Sequence, residues 1–260
     1  MRVLRVFFTR NSSPLKAAMV MALLIVGVLA SCQETGNAQG TVVEFKLKPQ
    51  EILRYSVLIS ETVYRGSERT ANLYREEMTV EVVSASNNQI KQVISCSGTH
   101  VKEGGEASSL GRTRYTITMT RNGRILSAEG LRPWDKRIVE SIWLFSVMLP
   151  ERPVSPGDGW EINDKLLGAA DGRFLAERRK YTLRSVSETS GGLQFVVDYT
   201  VSRTGRHNGA TSTYMNQGTF HFLNGRVVRL QGSEVLTEAG NNGDENVKVI
   251  TMIQVDLIGS

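Results

Sequence analysis

The segment that decides the fold is Tyr115-Thr116-Ile117-Thr118-Met119-Thr120-Arg121-Asn122-Gly123-Arg124-Ile125-Leu126-Ser127-Ala128. Apolar and polar residues alternate on both sides of Asn122-Gly123, and the Asn-Gly pair is the strongest short hairpin signal. The pairs predicted by folding the chain at this turn are Met119–Leu126, Ile117–Ala128 and Thr118–Ser127. Apolar residues then face apolar ones, so the segment predicts an antiparallel hairpin with one buried face.

Four other segments alternate in the same way. Their apolar sets are Tyr55, Val57, Ile59 and Val63; Met78, Val80 and Val82; Phe195, Val197, Tyr199 and Val201; and Val247, Val249, Ile253, Val255 and Leu257. Alternation with one wetter face is typical of antiparallel strands. Further Asn-Gly pairs at 208–209, 224–225 and 242–243 indicate more hairpins. The pairs expected at 224–225 are Phe222–Val227 and His221–Val228.

The sequence Asn-Gly-Arg occurs twice, at residues 122–124 and 224–226. The repetition suggests two similar β halves within one domain. However, Ile117 and Met119 lie an odd number of positions before their Asn, whereas Phe220 and Phe222 lie an even number before theirs. A duplication and a single continuous β domain therefore both stay open.

Residues 133–149 break the β pattern. Pro133 suits a first helical turn, Pro150 stops the helix, and an apolar stripe runs through Ile138, Ile142 and Leu149. From Ile142 onward the segment is apolar almost all round, so a helix here must be covered on most sides. It is interpreted either as a core helix in the hollow of a curved sheet or as a lid over an apolar cavity. The candidate lining residues of such a cavity are Trp134, Trp143, Phe145 and Met148.

The sequence thus predicts a mainly β fold, a large curved antiparallel sheet, half-barrel-like, with one central helix. We expect a single antiparallel β domain over residues 42–260, with two β halves joined by the helix at 133–149 as the alternative. This architecture is similar to that of half-barrel lipid-binding and carrier lipoproteins, and the resemblance implies an apolar or lipid ligand. Fold alone does not carry function.

The N-terminus has the pattern of an export signal. Residues 1–16 hold four basic residues and no acid, and residues 17–30 are an almost wholly apolar run. Fourteen residues are short for a membrane span, which needs about 20, and fit the apolar region of a signal peptide. Besides a lipoprotein signal, an ordinary signal peptide and an uncleaved membrane anchor stay open for this segment.

The run ends in Leu29-Ala30-Ser31-Cys32, which resembles the lipobox of bacterial lipoproteins. The resemblance implies cleavage of a signal peptide spanning 1–31, a diacylglyceryl group on the Cys32 thiol, and an acylated new N-terminus, with palmitate as a typical chain. Residues 32–41 then form a polar, lipidated tether. Gln33 replaces the Asp that retains enterobacterial lipoproteins at the inner membrane. We therefore expect a lipid-anchored envelope protein at the outer membrane, on its periplasmic face or at the cell surface.

Composition and net charge narrow the classes of partner that the protein is expected to bind. The whole chain has 260 residues, a net charge of +5 and a sequence pI near 9.3. Removal of the signal leaves 27 basic against 26 acidic residues, so the basic balance belongs to the signal and predicts no nucleic-acid partner. With Cys32 acylated, Cys96 has no partner in the chain and is expected to be a buried small hydrophobe.

Motifs that carry chemistry are absent from the sequence. There is no Gly-x-Ser-x-Gly, no His-Glu-x-x-His and no phosphate-binding glycine loop. The three histidines have no ligand spacing, so no metal, no cofactor and no catalytic residue is predicted. The string 153–161 resembles a Pro-Val-x-x-Gly-Asp-x-Trp pattern of exported lipoproteins of unknown function, in which Asp158 caps a turn before a strand starting near Trp160. Arg178-Arg179-Lys180 is interpreted as a solvated strand edge, with anionic headgroup contact as the alternative.

Three functions remain from the sequence. The first is a non-enzymatic, membrane-anchored module that binds an apolar or lipid ligand. The second is an envelope structural or protein-interaction lipoprotein that contacts another envelope protein. An envelope enzyme trails both.

Overall fold

The structure is a computed structural model that describes residues 40–130, 147–164, 176–207, 210–239 and 246–260. These residues form eleven β-strands. Their bounds are β1 Ile52–Arg65, β2 Glu68–Ala85, β3 Gln89–Lys102, β4 Ala107–Thr120, β5 Ile125–Glu129, β6 Gly159–Asp164, β7 Ala176–Thr189, β8 Gly192–His207, β9 Ala210–Leu223, β10 Arg226–Ala239 and β11 Val247–Gly259.

All eleven strands belong to one unclosed antiparallel sheet. The strand order is β5-β4-β3-β2-β1-β11-β10-β9-β8-β7-β6. Two meanders, β1–β5 and β6–β11, therefore join side by side through the β1–β11 pair. The prediction of a mainly β fold built on one large antiparallel sheet is confirmed.

Two segments outside the strands hold the sheet in a curve. We call residues 40–50 the first strap and residues 147–158 the second strap; they pair with each other at Thr41 and Val154. The neighbouring residues Phe45 and Lys46 donate their backbone N–H groups to Arg121 O, at 2.8 Å, and Gly225 O, at 3.1 Å. These acceptors follow β4 and β9, which a flat sheet would separate by about 29 Å, at about 4.8 Å per strand step. The sheet must curl to bring both to one strap.

We call the end of the sheet that the two straps cover the closed end, and the second strap completes it. Leu149 N–H donates to Asn122 O at 2.7 Å, and Trp160 Nε1–H of β6 donates to Met148 O at 2.8 Å. The strap thus connects the turn after β4 with the opposite edge of the sheet. Strand ends near residues 66, 104 and 207 lie at the other end, which we call the far end.

The core lies on one face of the sheet, which we call the inner face. Alternate residues of the long strands are buried there, as the sequence predicts, and the buried residues form one cluster. On the edge strand β5 the prediction of a buried face is wrong, because Leu126 and Ala128 are exposed. Both straps contribute to that cluster, and Phe45 packs edge-on against Phe222 of β9 with ring centroids 5.0 Å apart. Cys96 is buried in it, as expected.

The hairpin registers agree with the predictions except at two bulges. Ile117 pairs with Ala128, but Met119 pairs with Ile125 rather than Leu126 because the register shifts after Thr118. Phe222 pairs with Val227, whereas His221 pairs with Arg229 rather than Val228 because of a shift after Val227. A bulge inserts one residue in one strand, and alternation alone does not reveal it.

The predicted helix at 133–149 falls mostly outside the described residues. Its last three residues are described, and there the helix prediction is wrong. Leu149 N–H donates to Asn122 O and Met148 N–H to the Tyr181 hydroxyl, so this backbone bonds to the sheet instead of to a helical turn. Among the residues described, no helix is long and apolar enough to cross a membrane.

Candidate functional site

The inner face changes character along the strands. Near the closed end it is apolar, whereas toward the far end polar side chains occupy the same alternating positions. The strand registers place four of them in one row across four neighbouring strands: Glu61 of β1, Thr251 of β11, Glu234 of β10 and Asn216 of β9. We call this set the polar row.

A buried charge cluster lies beside the polar row on β7 and β8. The Glu177 carboxylate accepts hydrogen bonds from Arg179 and Arg203, and its side chain is 1% exposed. The Arg203 guanidinium also lies over the Tyr214 ring, 4.8 Å from the centroid. Burying a carboxylate without a partner would cost a large desolvation free energy. The two guanidinium groups compensate that cost for Glu177.

Tyr214 links this cluster to the polar row. Its hydroxyl donates to Glu234 Oε2 at 3.2 Å and receives a hydrogen bond from Asn216 Nδ2 at 3.4 Å. Burial, and then the Glu234 charge, hold the pKa of Tyr214 well above its ordinary value. The phenol therefore stays neutral and acts as a fixed hydrogen-bond donor.

A second polar network lies at the other end of the row. Asn72 Nδ2 donates to Glu61 Oε1 at 3.0 Å, and Asn72 Oδ1 lies 3.1 Å from His100 Nε2. The His100 ring stacks on Tyr74 with centroids 4.6 Å apart. His100 is thus positioned by an amide and an aromatic ring.

Within the described chain, two polar-row atoms lack a hydrogen-bond partner, Asn216 Oδ1 and Thr251 Oγ1. A buried polar atom in this state costs about 1–3 kcal/mol. The polar row therefore carries a cost in stability that its two unpartnered atoms leave uncompensated within the described chain.

A separate concavity of about 700 Å³ lies on the opposite face of the sheet, which we call the outer face. It crosses strands β7 to β11 and β1, and we call it the outer groove. Its lining residues are Leu58, Ser60, Arg184, Asp198, Tyr199, Thr200, Gln217, Gly218, Thr219, Gln231, Gly232, Ser233, Met252, Ile253 and Gln254.

The sequence-predicted site residues are only partly described. Cys32, Trp134, Trp143 and Phe145 lie outside the described residues. Met148 lies in the second strap, where it is 7% exposed and where Tyr181 and Trp160 bind its backbone. It packs as a core residue of the closed end.

Asp158 takes the turn-capping role predicted for it. Its carboxylate accepts a hydrogen bond from Ser155 N–H at 2.9 Å, and its own N–H donates to Ser155 O. The strand predicted near Trp160 begins at Gly159. The solvated-edge interpretation of Arg178-Arg179-Lys180 is wrong in its centre, because Arg179 is buried against Glu177 and β6 covers this part of β7.

Sequence reasoning missed the polar row and the outer groove. Glu61 and Thr251 stand in phase with the apolar positions of β1 and β11, and a polar residue in that phase was the available signal. The groove had no such signal, because it depends on which strands are neighbours. Among the described residues, no group of three or more His, Cys, Asp or Glu side chains could hold a metal ion.

Comparison with known proteins gives no family. No family model and no curated protein matches the sequence. Several solved structures match it at low similarity. A presumed exported protein with a YmcC-like fold from Bacteroides fragilis has a TM-score of 0.27 and 10% identity, covering 81% of this chain and 98% of that one.

Two further matches have lower TM-scores. A presumed lipoprotein from Parabacteroides distasonis has a TM-score of 0.24 and 12% identity, over 81% of this chain and 98% of the other. An outer membrane channel from Pseudomonas putida has a TM-score of 0.22 and 8% identity, over 86% and 99%. Likeness at this level carries no argument about function, which must rest on this chain's own residues.

Proposed function

We propose that this protein is a lipid-anchored, non-enzymatic component of the bacterial cell envelope whose β domain binds a ligand. The observation that carries the proposal is the order of segments at the N-terminus. The apolar run 17–30 ends at Cys32, a polar tether follows, and the fold begins where Thr41 pairs with Val154. Everything before the tether suits export and anchoring, and the described residues after it form one sheet with its two straps.

The contacts of the described polar side chains support a non-enzymatic role. Glu177 is held by two guanidiniums, and the Tyr214 phenol is neutral and fixed. His100 and His221 lie beside side-chain amides, those of Asn72 and Gln194. A general base needs a proton to abstract within hydrogen-bond reach, and an amide neighbour does not offer a nucleophile.

An acylated Cys32 gives a direct test of the anchor. Each buried methylene contributes about 0.8 kcal/mol, and two chains hold a protein stably on a membrane. Cys32→Ala should move the protein from the membrane fraction to the aqueous fraction of lysed cells. Cys96→Ala is the matched control, because it removes the other cysteine and leaves the anchor in place. If Cys32→Ala stays in the membrane fraction although residues 1–31 have been removed, the lipid anchor is refuted.

The ligand is proposed to be apolar, a lipid or another hydrophobic molecule held on the inner face, and Trp134, Trp143 and Phe145 stay candidates for its lining because the core packing of Met148 removes only that residue from the predicted set. Gentle extraction followed by native mass spectrometry should then find one lipid class bound in a fixed ratio. A protein that carries no lipid would refute this ligand.

A second candidate is a structural or protein-interaction lipoprotein. The packing of both straps against the closed end favours it, because the described apolar half is filled by the chain itself. Crosslinking in intact cells should then recover one recurrent envelope protein, which Cys32→Ala would lose if the contact requires membrane attachment.

A further inference from the structure

The outer groove is built from two rows of side chains that the strand registers place next to each other. One row runs through Leu58, Gln254, Gln231, Thr219 and Asp198, and the other through Ser60, Met252, Ser233, Gln217 and Thr200. Together with Arg184 of β7 they cross six strands, or about 24 Å at about 4.8 Å per step. The groove therefore suits an elongated ligand.

A pair of glycines lies at the groove floor and shapes it. Gly218 of β9 and Gly232 of β10 face each other, and the Tyr199 hydroxyl lies against both from the inner face. A Cβ atom at Gly218 would overlap the backbone of Gln231 and Gly232. The absence of side chains therefore leaves backbone atoms and the Tyr199 hydroxyl to form this part of the groove floor.

The groove walls carry hydrogen-bonding groups that the protein does not use. Within the described chain, the side chains of Ser60, Thr200, Gln217, Gln231 and Ser233 make no hydrogen bond to another protein group. Two are amides, with both donors and acceptors, and three are hydroxyls, which do both. Such groups match a ligand that itself donates and accepts along its length.

The charges of the groove cancel inside it. Arg184 binds Asp198 with both Nε, at 2.9 Å, and Nη2, at 2.5 Å. Thr219 Oγ1 donates to the same carboxylate at 2.8 Å. This pair is already satisfied, so the groove offers no free charge to an anionic or cationic ligand.

We propose that the outer groove binds a neutral, polyhydroxylated ligand, an oligosaccharide chain. Its hydroxyl groups would exchange hydrogen bonds with Gln217, Gln231 and the three hydroxyl residues, and its apolar ring faces would cover Leu58 and Met252, which are exposed at 38% and 56%. This rests on the proposed envelope location, where surface and wall glycans are within reach. The inner face and its ligand are not involved.

The test is calorimetric titration of the mature lipidated protein, residues 32–260, in detergent. The probes are chitohexaose and maltohexaose as neutral chains and a hexagalacturonate as a charged comparator. At least one neutral hexaose should bind saturably and better than the charged chain. Gln217→Ala combined with Gln231→Ala should weaken it about tenfold or more, because two hydrogen bonds are lost. Gln89→Ala, an exposed amide on β3 away from the groove, should change binding less than twofold.

A blocking variant keeps the proposal falsifiable without relying on lost contacts. Ser233→Arg places a long side chain in the groove and should abolish binding. Ser97→Arg, at an exposed position of β3 away from the groove, should leave binding intact. Circular dichroism checks that both fold. The proposal is overturned if neither neutral hexaose binds at millimolar concentration, if hexagalacturonate binds more tightly, or if groove and control variants bind alike. Fractionation of Cys32→Ala tests the lipid anchor separately, so a failure of the groove proposal can be told apart from a failure of the anchor.

Discussion

At the scale of single residues, Glu177 is the most constrained group of the inner face. Its carboxylate lies between Arg179 and Arg203, and the side chains of these two arginines are only 10% and 12% exposed. Removing one partner of a buried ion pair leaves an uncompensated charge, which costs far more than the pair itself contributes. The cluster therefore holds β7 to β8 in one arrangement at the far end.

We expect Glu177→Gln to lower the free energy of unfolding by about 3 kcal/mol or more, because two guanidiniums stay buried without their carboxylate. Glu161→Gln is the matched control: it breaks the exposed Glu161–Arg178 pair and should change stability little. Urea denaturation of both variants measures the difference. Equal effects would show that the Glu177 cluster is as solvated as a surface pair.

His221 gives a pH-dependent prediction on the outer face. Partial burial, and then the charges of Arg229 and Arg184, lower the pKa of His221 below its ordinary value near 6.5. At a pH between the lowered pKa of the folded chain and 6.5, the unfolded chain binds the proton and the folded chain does not. Stability therefore falls as the pH falls through this range.

The His221 ring resonance in NMR should therefore titrate with a midpoint below 6.5. His221→Gln should lose less stability than the wild type between pH 7 and pH 5, since the glutamine does not titrate. A midpoint at or above 6.5 would contradict the role of the neighbouring arginines.

At the scale of elements, the strands were predictable and the connections between them were not. Alternation placed Val197 and Ile253 on the buried face correctly, because a period of two is a local property of the chain. The bulges at Thr118 and Val227 and the strap contacts of Leu149 depend on residues far away in sequence. Because of such distant contacts, residues 147–149 belong to the second strap rather than to the end of the predicted helix.

The two Asn-Gly turns illustrate the same limit. At Asn224-Gly225 both residues have positive φ, as the two-residue hairpin turn requires. At Asn122-Gly123 only Gly123 does, with φ of 90°, because this turn also receives the second strap. The dipeptide predicted a turn at both places, but the tertiary contact selected its type.

The strap contact makes a substitution at Gly123 cost more stability than its positive φ alone would predict. A Cβ atom at Gly123 would overlap Val147 O of the second strap, whereas one at Gly157, with φ of 93°, would meet nothing. Gly157→Ala should cost about 1–2 kcal/mol, the ordinary penalty for a left-handed L-residue. Gly123→Ala should cost clearly more, because the strap must also move.

Denaturant titration of the two glycine variants compares them directly. Because both carry the same backbone penalty, their difference isolates the strap contact. If the two variants lose the same stability, the second strap does not press on the turn after β4.

At the scale of the whole molecule, two meanders form one curled sheet whose two ends differ. The closed end is apolar and packed by the straps, while the far half of the inner face carries buried charge and the outer face carries a neutral groove. The sequence could predict a large antiparallel sheet, and the lipid anchor at Cys32 stays a prediction. It could not predict the polar row or the groove, because each joins residues of different strands.

The proposed role of the whole molecule depends on its attachment through Cys32, and the mature N-terminus reports that attachment. Intact mass spectrometry and fragmentation of the protein from native membranes should show Cys32 as the first residue, carrying a diacylglyceryl group, with residues 1–31 absent. A mature chain that begins elsewhere, or an unmodified Cys32 thiol, would contradict the proposed lipid anchor.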